Sequence, residues 1–305
     1  YGQLFNETNA RTGGIQCGID VFDKANDPEA FRTMFTIRGK ALYSQMDFLF
    51  QMMEEILNTS KLSDTRRLGE IIGEIRSRGQ ASLIGAGHQT AVLRSAAYGS
   101  PMAEYQDEMA GVGYYKFIED LEKNFQEKKD EIVAGLQNAM AEIIRKDSFM
   151  VSYTGERESV EQVKALSGAL KKSLPESTCE VPETVITCRK KNEGFKTSGQ
   201  VQYVARTGNF VKKGFTYTGA LEILKVALSY DYLWINVRVK GGAYGVMNGA
   251  GRFGDSYFVS YRDPNLKSTV EAYEKAADFI EAFDGDERTM TQYIIGAVSE
   301  LDTPL

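Results

Sequence analysis

Histidine is nearly absent from this sequence, and its scarcity limits the chemistry that the chain can carry. His88 is the single histidine among 305 residues, so most histidine-based metal sites cannot be built from this chain alone. It lies in the stretch "IGAGHQTAV", where we interpret it as an ordinary helix or loop residue and not as a ligand. We therefore predict no metal site within this chain.

The three cysteines give no sign of a disulfide framework. Cys17, Cys179 and Cys188 form no CxxC pair, and their odd number leaves one thiol over after any single pairing. This usage favours a reducing compartment. Cys179 and Cys188 could pair with each other, but nothing in the sequence requires it.

A basic surplus and long apolar runs are missing as well. The chain has 36 Lys and Arg against 42 Asp and Glu, a net charge of −6. This charge argues against nucleic acid as a partner, because phosphate binding needs a basic surface. No run approaches the roughly 18 apolar residues of a membrane helix. We expect a soluble protein of the cytoplasm or an organellar matrix, with no membrane partner.

The start of the sequence carries neither an initiator methionine nor a signal-peptide pattern. We expect the chain to be a piece of a longer polypeptide, with any targeting signal upstream of Tyr1.

Hydrophobic periodicity organises the first half of the chain. Alternating patterns predict strands over 13–22 and 30–42, joined by a polar turn. Apolar residues at i, i+3, i+4 and i+7 predict a helix over 44–57. Helical stripes continue over 63–146, interrupted by the break at Gly99 and Pro101.

The character changes near residue 147, where we place a domain boundary. The ranges 1–146 and 147–305 are the two predicted domains. Beyond the boundary we predict a loop over 175–184, and an exposed basic loop over 189–196, "RKKNEGFK", which alternatively steers acidic peptides. The predicted strands and helices of this part are strands over 148–155, 199–208, 244–253 and 255–264, and helices over 159–174, 218–237 and 270–280.

Two stretches of the chain resemble each other. Residues 13–57 and 241–283 both begin with Gly-Gly and continue as strand, turn, strand and helix. So large an offset indicates domain duplication and not a solenoid. Because strands and helices mix without regular βαβ alternation, the predicted class is α+β.

The duplication separates structural residues from candidate functional ones in "RVKGGAYG", residues 238–245. Both copies keep the glycine pair, which suits backbone geometry at a strand start. Only the second copy has Arg238 and Tyr244, since Ala10 and Gln16 occupy the matching positions. The residues alone leave a structural reading open, in which Arg238 is a solvated helix-end residue and Tyr244 a packed strand aromatic. The glycines form no phosphate loop, because neither a Walker lysine nor a dinucleotide spacing is present.

The motif "RVKGGAYG", followed by "SYFVSYRDPNL" and "TVEAYEKAADFI", resembles the C-terminal half of the pitrilysin/insulinase-type zinc metallopeptidases, on their presequence-protease-like branch. The resemblance covers nearly the whole chain. It implies two homologous domains of the mitochondrial processing peptidase-like fold, each a mostly antiparallel sheet packed with helices. Residues 1–146 would be the later part of the third repeat domain, and 147–305 the fourth.

The resemblance also implies a function. The family hydrolyses unfolded peptides in a closed chamber, with zinc bound by an inverted His-x-x-Glu-His helix of the N-terminal half. That motif is missing here, so this chain alone is expected to be inactive and to need the N-terminal half as its partner. The family pattern makes Arg238 and Tyr244 catalytic and gives Gly241, Gly242 and Ala243 contact with the peptide substrate. The alternative is a non-catalytic scaffold or partner subunit of the same fold.

Overall fold

The computed structural model describes residues 2–24, 27–176, 185–191 and 193–302. The predicted loop over 175–184 lies mostly outside the described residues, and so does Cys179. The chain forms two compact units. Unit 1 contains residues 1–26, 30–74 and 120–184, and unit 2 contains residues 27–29, 75–119 and 185–305. These units describe packing, and the repeat boundary near residue 147 stays a prediction.

Helices and short antiparallel strands make up the described chain, which confirms a mixed α+β class. The helices are α1 (Gly2–Arg11), α2 (Met46–Thr59), α3 (Thr65–Gly85), α4 (Gly87–Ala96), α5 (Pro101–Ala110), α6 (Val112–Lys123), α7 (Phe125–Ile143), α8 (Val160–Ser173), α9 (Ala220–Ala227), α10 (Lys267–Glu274), α11 (Ala276–Glu281) and α12 (Glu287–Leu301). The strands are β1 (Ile15–Lys24), β2 (Asp27–Gly39), β3 (Ala205–Asn209), β4 (Gly245–Ala250) and β5 (Asp255–Tyr261). A π-helix, Leu228–Val239, follows α9 directly.

Unit 1 is built around the packing of α2 on α8 and on the β1–β2 sheet. The apolar stripe predicted for α2 is confirmed, since Leu49 and Met53 are buried and form a cluster with Leu170 of α8. Gly39 ends β2 against this cluster, where a Cβ would collide with the side chains of Leu49 and Met53. A glycine at this point lets the strand approach the helix closely.

Unit 2 is built around a three-stranded antiparallel sheet with the order β3-β5-β4. Helix α4 packs against β3 and β5, and the π-helix packs against β4. The core between the sheet and the helices contains Leu233 and Val237 of the π-helix, Val259 of β5 and Tyr273 of α10, all at most 3% exposed. The strands predicted over 244–253 and 255–264 are confirmed as β4 and β5.

Several predicted elements differ from the structure. The strand predicted over 148–155 is wrong: this stretch has no ladder partner among the described residues, and Met150 is exposed. The strand predicted over 199–208 is reduced to β3, preceded by a single bridge between Gln202 and Asp263. The helix predicted over 218–237 changes from α to π geometry at Leu228, and the last predicted helix is interrupted at Lys275.

Buried charges connect helices α4 and α5 to the basic loop of unit 2. Arg94 donates from Nη1 to Asp107 Oδ2 at 2.6 Å and from Nη2 to Glu193 Oε1 at 2.6 Å. Asp107 is fully buried and also accepts the backbone N–H groups of Val112 and Gly113. The described residues of the loop are exposed as predicted, but the Glu193 carboxylate reaches a buried guanidinium.

No helix within the described ranges is both long and apolar enough to cross a membrane.

Arg94→Met is expected to destabilise the protein strongly. Removing the guanidinium leaves the Asp107 carboxylate buried without a cation, a change that costs about 3–5 kcal/mol. The matched control Glu193→Gln keeps the Arg94–Asp107 pair and should cost at most about 1 kcal/mol. Urea unfolding at neutral pH measures both. A cost below that of the control for Arg94→Met would contradict the importance of this pair.

The Glu193 ion pair should be lost in acid. Burial by itself would raise the pKa of Glu193, but the hydrogen bond and charge of Arg94 outweigh it and hold that pKa below its ordinary value. A depressed pKa stabilises the folded state above the unfolded-state pKa, and this stabilisation disappears as the pH falls through the folded-state pKa. The stability difference between wild type and Glu193→Gln should therefore shrink below about pH 4. A difference independent of pH would contradict the pairing.

Candidate functional site

The predicted motif lies where the π-helix of unit 2 turns into β4. The backbone N–H of Gly242 donates to Arg238 O at 2.9 Å, and that of Ala243 donates to Val237 O at 3.2 Å. Gly242 has a φ of +81°, in the left-handed region. A Cβ on Gly241 would collide with the carbonyl oxygen of Val237. Both glycines are therefore required by the geometry of this turn.

Arg238 is held at two points. Its Nε donates to Tyr244 O at 3.0 Å, and its guanidinium carbon lies 3.9 Å from the ring centre of Trp234, one turn earlier in the π-helix. The stacking and the hydrogen bond fix the plane of the guanidinium group. Its two terminal nitrogens have no hydrogen bond or carboxylate partner among the described residues, so they are available to a ligand.

Tyr244 presents its side chain outward from a fixed backbone. Its N–H is shared between Tyr261 O at 3.1 Å and Arg262 O at 3.3 Å, both at the end of β5. The residue is 69% exposed, and its ring contacts the Tyr261 ring edge to face at 5.8 Å between centres. In the part of the chain that the structure describes, the phenolic O–H has no hydrogen-bond partner. Arg238 and Tyr244 are thus brought together through the backbone carbonyl of Tyr244.

An aromatic cluster behind Tyr244 was not foreseen from the sequence. The Tyr261 ring meets His88 edge to face at 4.9 Å and lies 5.7 Å from Tyr203. The Tyr261 hydroxyl donates to Gly85 O at 3.4 Å, and the Tyr203 hydroxyl donates to Ile84 O. These contacts fix the ring on which Tyr244 rests. The residues are distant in sequence, so no local spacing could have revealed the cluster.

His88 begins helix α4 and packs against Tyr261, with burial lowering its pKa below the ordinary value. It contacts rings, as expected for an ordinary helix residue.

The three residues assigned to substrate contact have clear structural duties. Ala243 is 3% exposed and belongs to the core cluster of the π-helix and α10. Gly241 O accepts a hydrogen bond from the Asn265 side chain, and Gly242 is exposed. Contact of their backbone with a peptide stays a prediction.

The chemistry of this site is donation of hydrogen bonds to a negatively charged or polarised oxygen. Arginine offers a permanent charge and a planar fork of N–H donors, and tyrosine offers one O–H on a rigid ring. Zinc is bound by histidine, cysteine and carboxylate groups, and the described residues contain no group of three or more such side chains arranged to hold a metal. The described part of this chain therefore does not fit a zinc site.

Comparison with known proteins places this motif in a family context. Residues 1–121 match a family model described as peptidase-associated, and residues 192–305 match the PreP C-terminal domain. Protein HypA of Clostridium perfringens is 38% identical over 305 residues, which are all of this chain and 31% of that protein.

Two eukaryotic relatives carry the name presequence protease. Presequence protease 1, chloroplastic/mitochondrial, of Arabidopsis thaliana is 29% identical over 308 residues, 99% of this chain and 28% of the relative. The mitochondrial presequence protease of Yarrowia lipolytica is 26% identical over 319 residues, all of this chain and 31% of the relative. The chain thus spans less than a third of the length of these three relatives. With both family models matched and relatives aligned along its whole length, the chain belongs to the presequence-protease branch of the pitrilysin/insulinase-type peptidases.

Proposed function

We propose that this chain is the C-terminal part of a zinc-dependent endopeptidase or oligopeptidase that hydrolyses unfolded peptides in a closed chamber. The observation that carries the proposal is the paired geometry of Arg238 and Tyr244. One backbone carbonyl fixes them together, and both keep unused donors directed away from the core.

The proposed architecture is that of two repeat domains of the mitochondrial processing peptidase-like fold, divided near residue 147. The element order supports it. A helix precedes a hairpin and further helix in both stretches, as α1-β1-β2-α2 near the start and as π-helix-β4-β5-α10 later. Only the second copy joins Arg238 and Tyr244 to its hairpin.

The zinc ion is proposed to lie outside this chain, in the N-terminal half of the full-length protein. This follows from the donor chemistry, because the residues that the structure describes here offer no suitable ligand set. By this reading the chain alone is inactive, and its partners are the N-terminal half and the peptide substrate.

The proposed role of this chain is to stabilise charge on the substrate. Negative charge develops on the carbonyl oxygen when a peptide bond is hydrolysed, and donors aimed at that oxygen lower the barrier. The terminal nitrogens of Arg238 and the hydroxyl of Tyr244 are such donors. Neither group needs to change its protonation state for this role, and both are held before substrate arrives, by Trp234 and Tyr261 respectively.

Removing either donor from the full-length protein should impair catalysis. Tyr244→Phe and Arg238→Ala are each expected to lower kcat/KM for an unstructured peptide by about 10²–10³-fold, as expected for loss of one oxyanion donor. Zinc content should stay unchanged. Tyr230→Phe is the matched control, since Tyr230 is also exposed and lies in the same π-helix. Less than threefold loss in both variants would favour a scaffold role.

The isolated chain should have no peptidase activity with or without added zinc. Activity is expected only when the N-terminal half is supplied, either in the full-length protein or as a second polypeptide. Chelator-sensitive cleavage by the chain alone would show that it holds a catalytic site of its own and would contradict the proposal.

A further inference from the structure

Arg262 has an unusual backbone conformation for its residue type. Its φ is +49°, and it is the one non-glycine residue in the left-handed region among those described. This region is sterically costly for a side chain with a Cβ, and glycine or asparagine is favoured there. The backbone therefore gives no reason for an arginine at this position. Strained residues of this kind cluster at functional sites.

The turn after β5 is held in place by buried contacts on its far side. Asp263 is fully buried, and its carboxylate accepts Asn265 N–H at 2.8 Å and the Thr269 hydroxyl at 2.7 Å. Its backbone exchanges two hydrogen bonds with Gln202, at 2.8 and 2.9 Å. On the near side, Arg262 O accepts the N–H of Tyr244. These contacts hold Arg262 in its strained conformation directly beside the proposed catalytic tyrosine.

The Arg262 side chain lies over the same aromatic ring as Tyr244. Its guanidinium carbon is 5.6 Å from the Tyr261 ring centre, and that centre is 5.8 Å from the ring centre of Tyr244, so the two are at most about 11 Å apart. An extended peptide advances about 3.3 Å per residue. The guanidinium is therefore within about three peptide residues of a group that contacts Tyr244.

The charge of Arg262 is not neutralised by the protein. Within the described ranges no carboxylate forms an ion pair with Arg262, and none does with Arg238. Most other arginines of known environment here have acidic partners, among them Arg94, Arg206 and Arg38. Two uncompensated guanidinium groups thus flank Tyr244 and Tyr261, in a chain whose net charge is −6.

We propose that Arg262 is a specificity-determining residue that binds a carboxylate of the peptide substrate close to the cleaved bond. The inference rests on the proposed function, because it places the substrate against Tyr244. A guanidinium binds a carboxylate through two parallel N–H donors, which gives orientation as well as affinity. The carboxylate belongs either to an acidic side chain or to the C-terminus of a short peptide.

The test uses the full-length protein and a series of matched peptides. One series moves a single Asp one position at a time through three residues on each side of the cleaved bond, with Asn at the same positions as the neutral counterpart. A second series compares a free C-terminus with an amidated one at increasing distance from that bond. A preference that follows Asp identifies a side-chain carboxylate, and one abolished by amidation identifies the terminal carboxylate.

Arg262→Asn is the informative variant, because asparagine tolerates the left-handed conformation. It should lower kcat/KM for the preferred acidic peptide by about 10–100-fold, leave the neutral peptide within twofold, and keep or raise Tm. Arg262→Lys, which retains the charge, should recover part of the preference. Arg252→Asn is the matched control, since Arg252 is an exposed arginine of the β4–β5 turn, and it should change neither peptide.

Two results would overturn the inference. One is a wild-type enzyme without any preference for a carboxylate within this range, and the other is an equal loss on acidic and neutral peptides in Arg262→Asn. Tyr244→Phe on the neutral peptide keeps the two proposals apart. If that variant loses activity while Arg262→Asn leaves the acidic preference unchanged, only the role of Arg262 fails. If Tyr244→Phe remains fully active, the proposed function itself fails.

Discussion

The shared hydrogen bond from Tyr244 N–H to the last carbonyls of β5 is the contact on which the site depends. It closes the turn between the π-helix and the sheet, and it sets the direction in which the Tyr244 side chain leaves the backbone. The carbonyl of the same residue then orients Arg238. One residue's backbone thus controls both donors, so a shift of the end of β5 would move them together and not independently.

The π-helix contributes geometry that an α-helix would not. Lys240 N–H donates to Ile235 O, five residues back, and the wider turn is typical of functional sites. In this helix Leu233 and Val237 face the core while Trp234 and Arg238 stack on the outer side. The buried residues stabilise the helix, and the neighbouring positions are thereby left for substrate chemistry.

Periodicity predicted the elements whose burial pattern is simple, and it was misleading where pairing decides. The apolar stripe of α2 and the alternation of β4 and β5 were predicted because one face of each packs on a core. The stretch 148–155 has strand-like composition but no neighbour to pair with among the described residues, so composition alone could not place it. Arg238 and Tyr244 were found through the duplication and the family pattern, and the structure now shows their common anchor. Arg262, Tyr261 and the partner of Glu193 depend on backbone angles and long-range contacts that no local pattern records.

The scarcity of histidine has a further consequence once His88 is located. Its imidazole lies edge to face against the Tyr261 ring, which in turn contacts Tyr244. Aromatic rings shift the magnetic resonance frequencies of protons that lie above or beside them. A chain with a single imidazole gives one pair of ring-proton signals without overlap from others, located one ring away from the proposed catalytic tyrosine. The position of Tyr261, and through it the readiness of the site, is therefore reported continuously by a nucleus that the protein already contains.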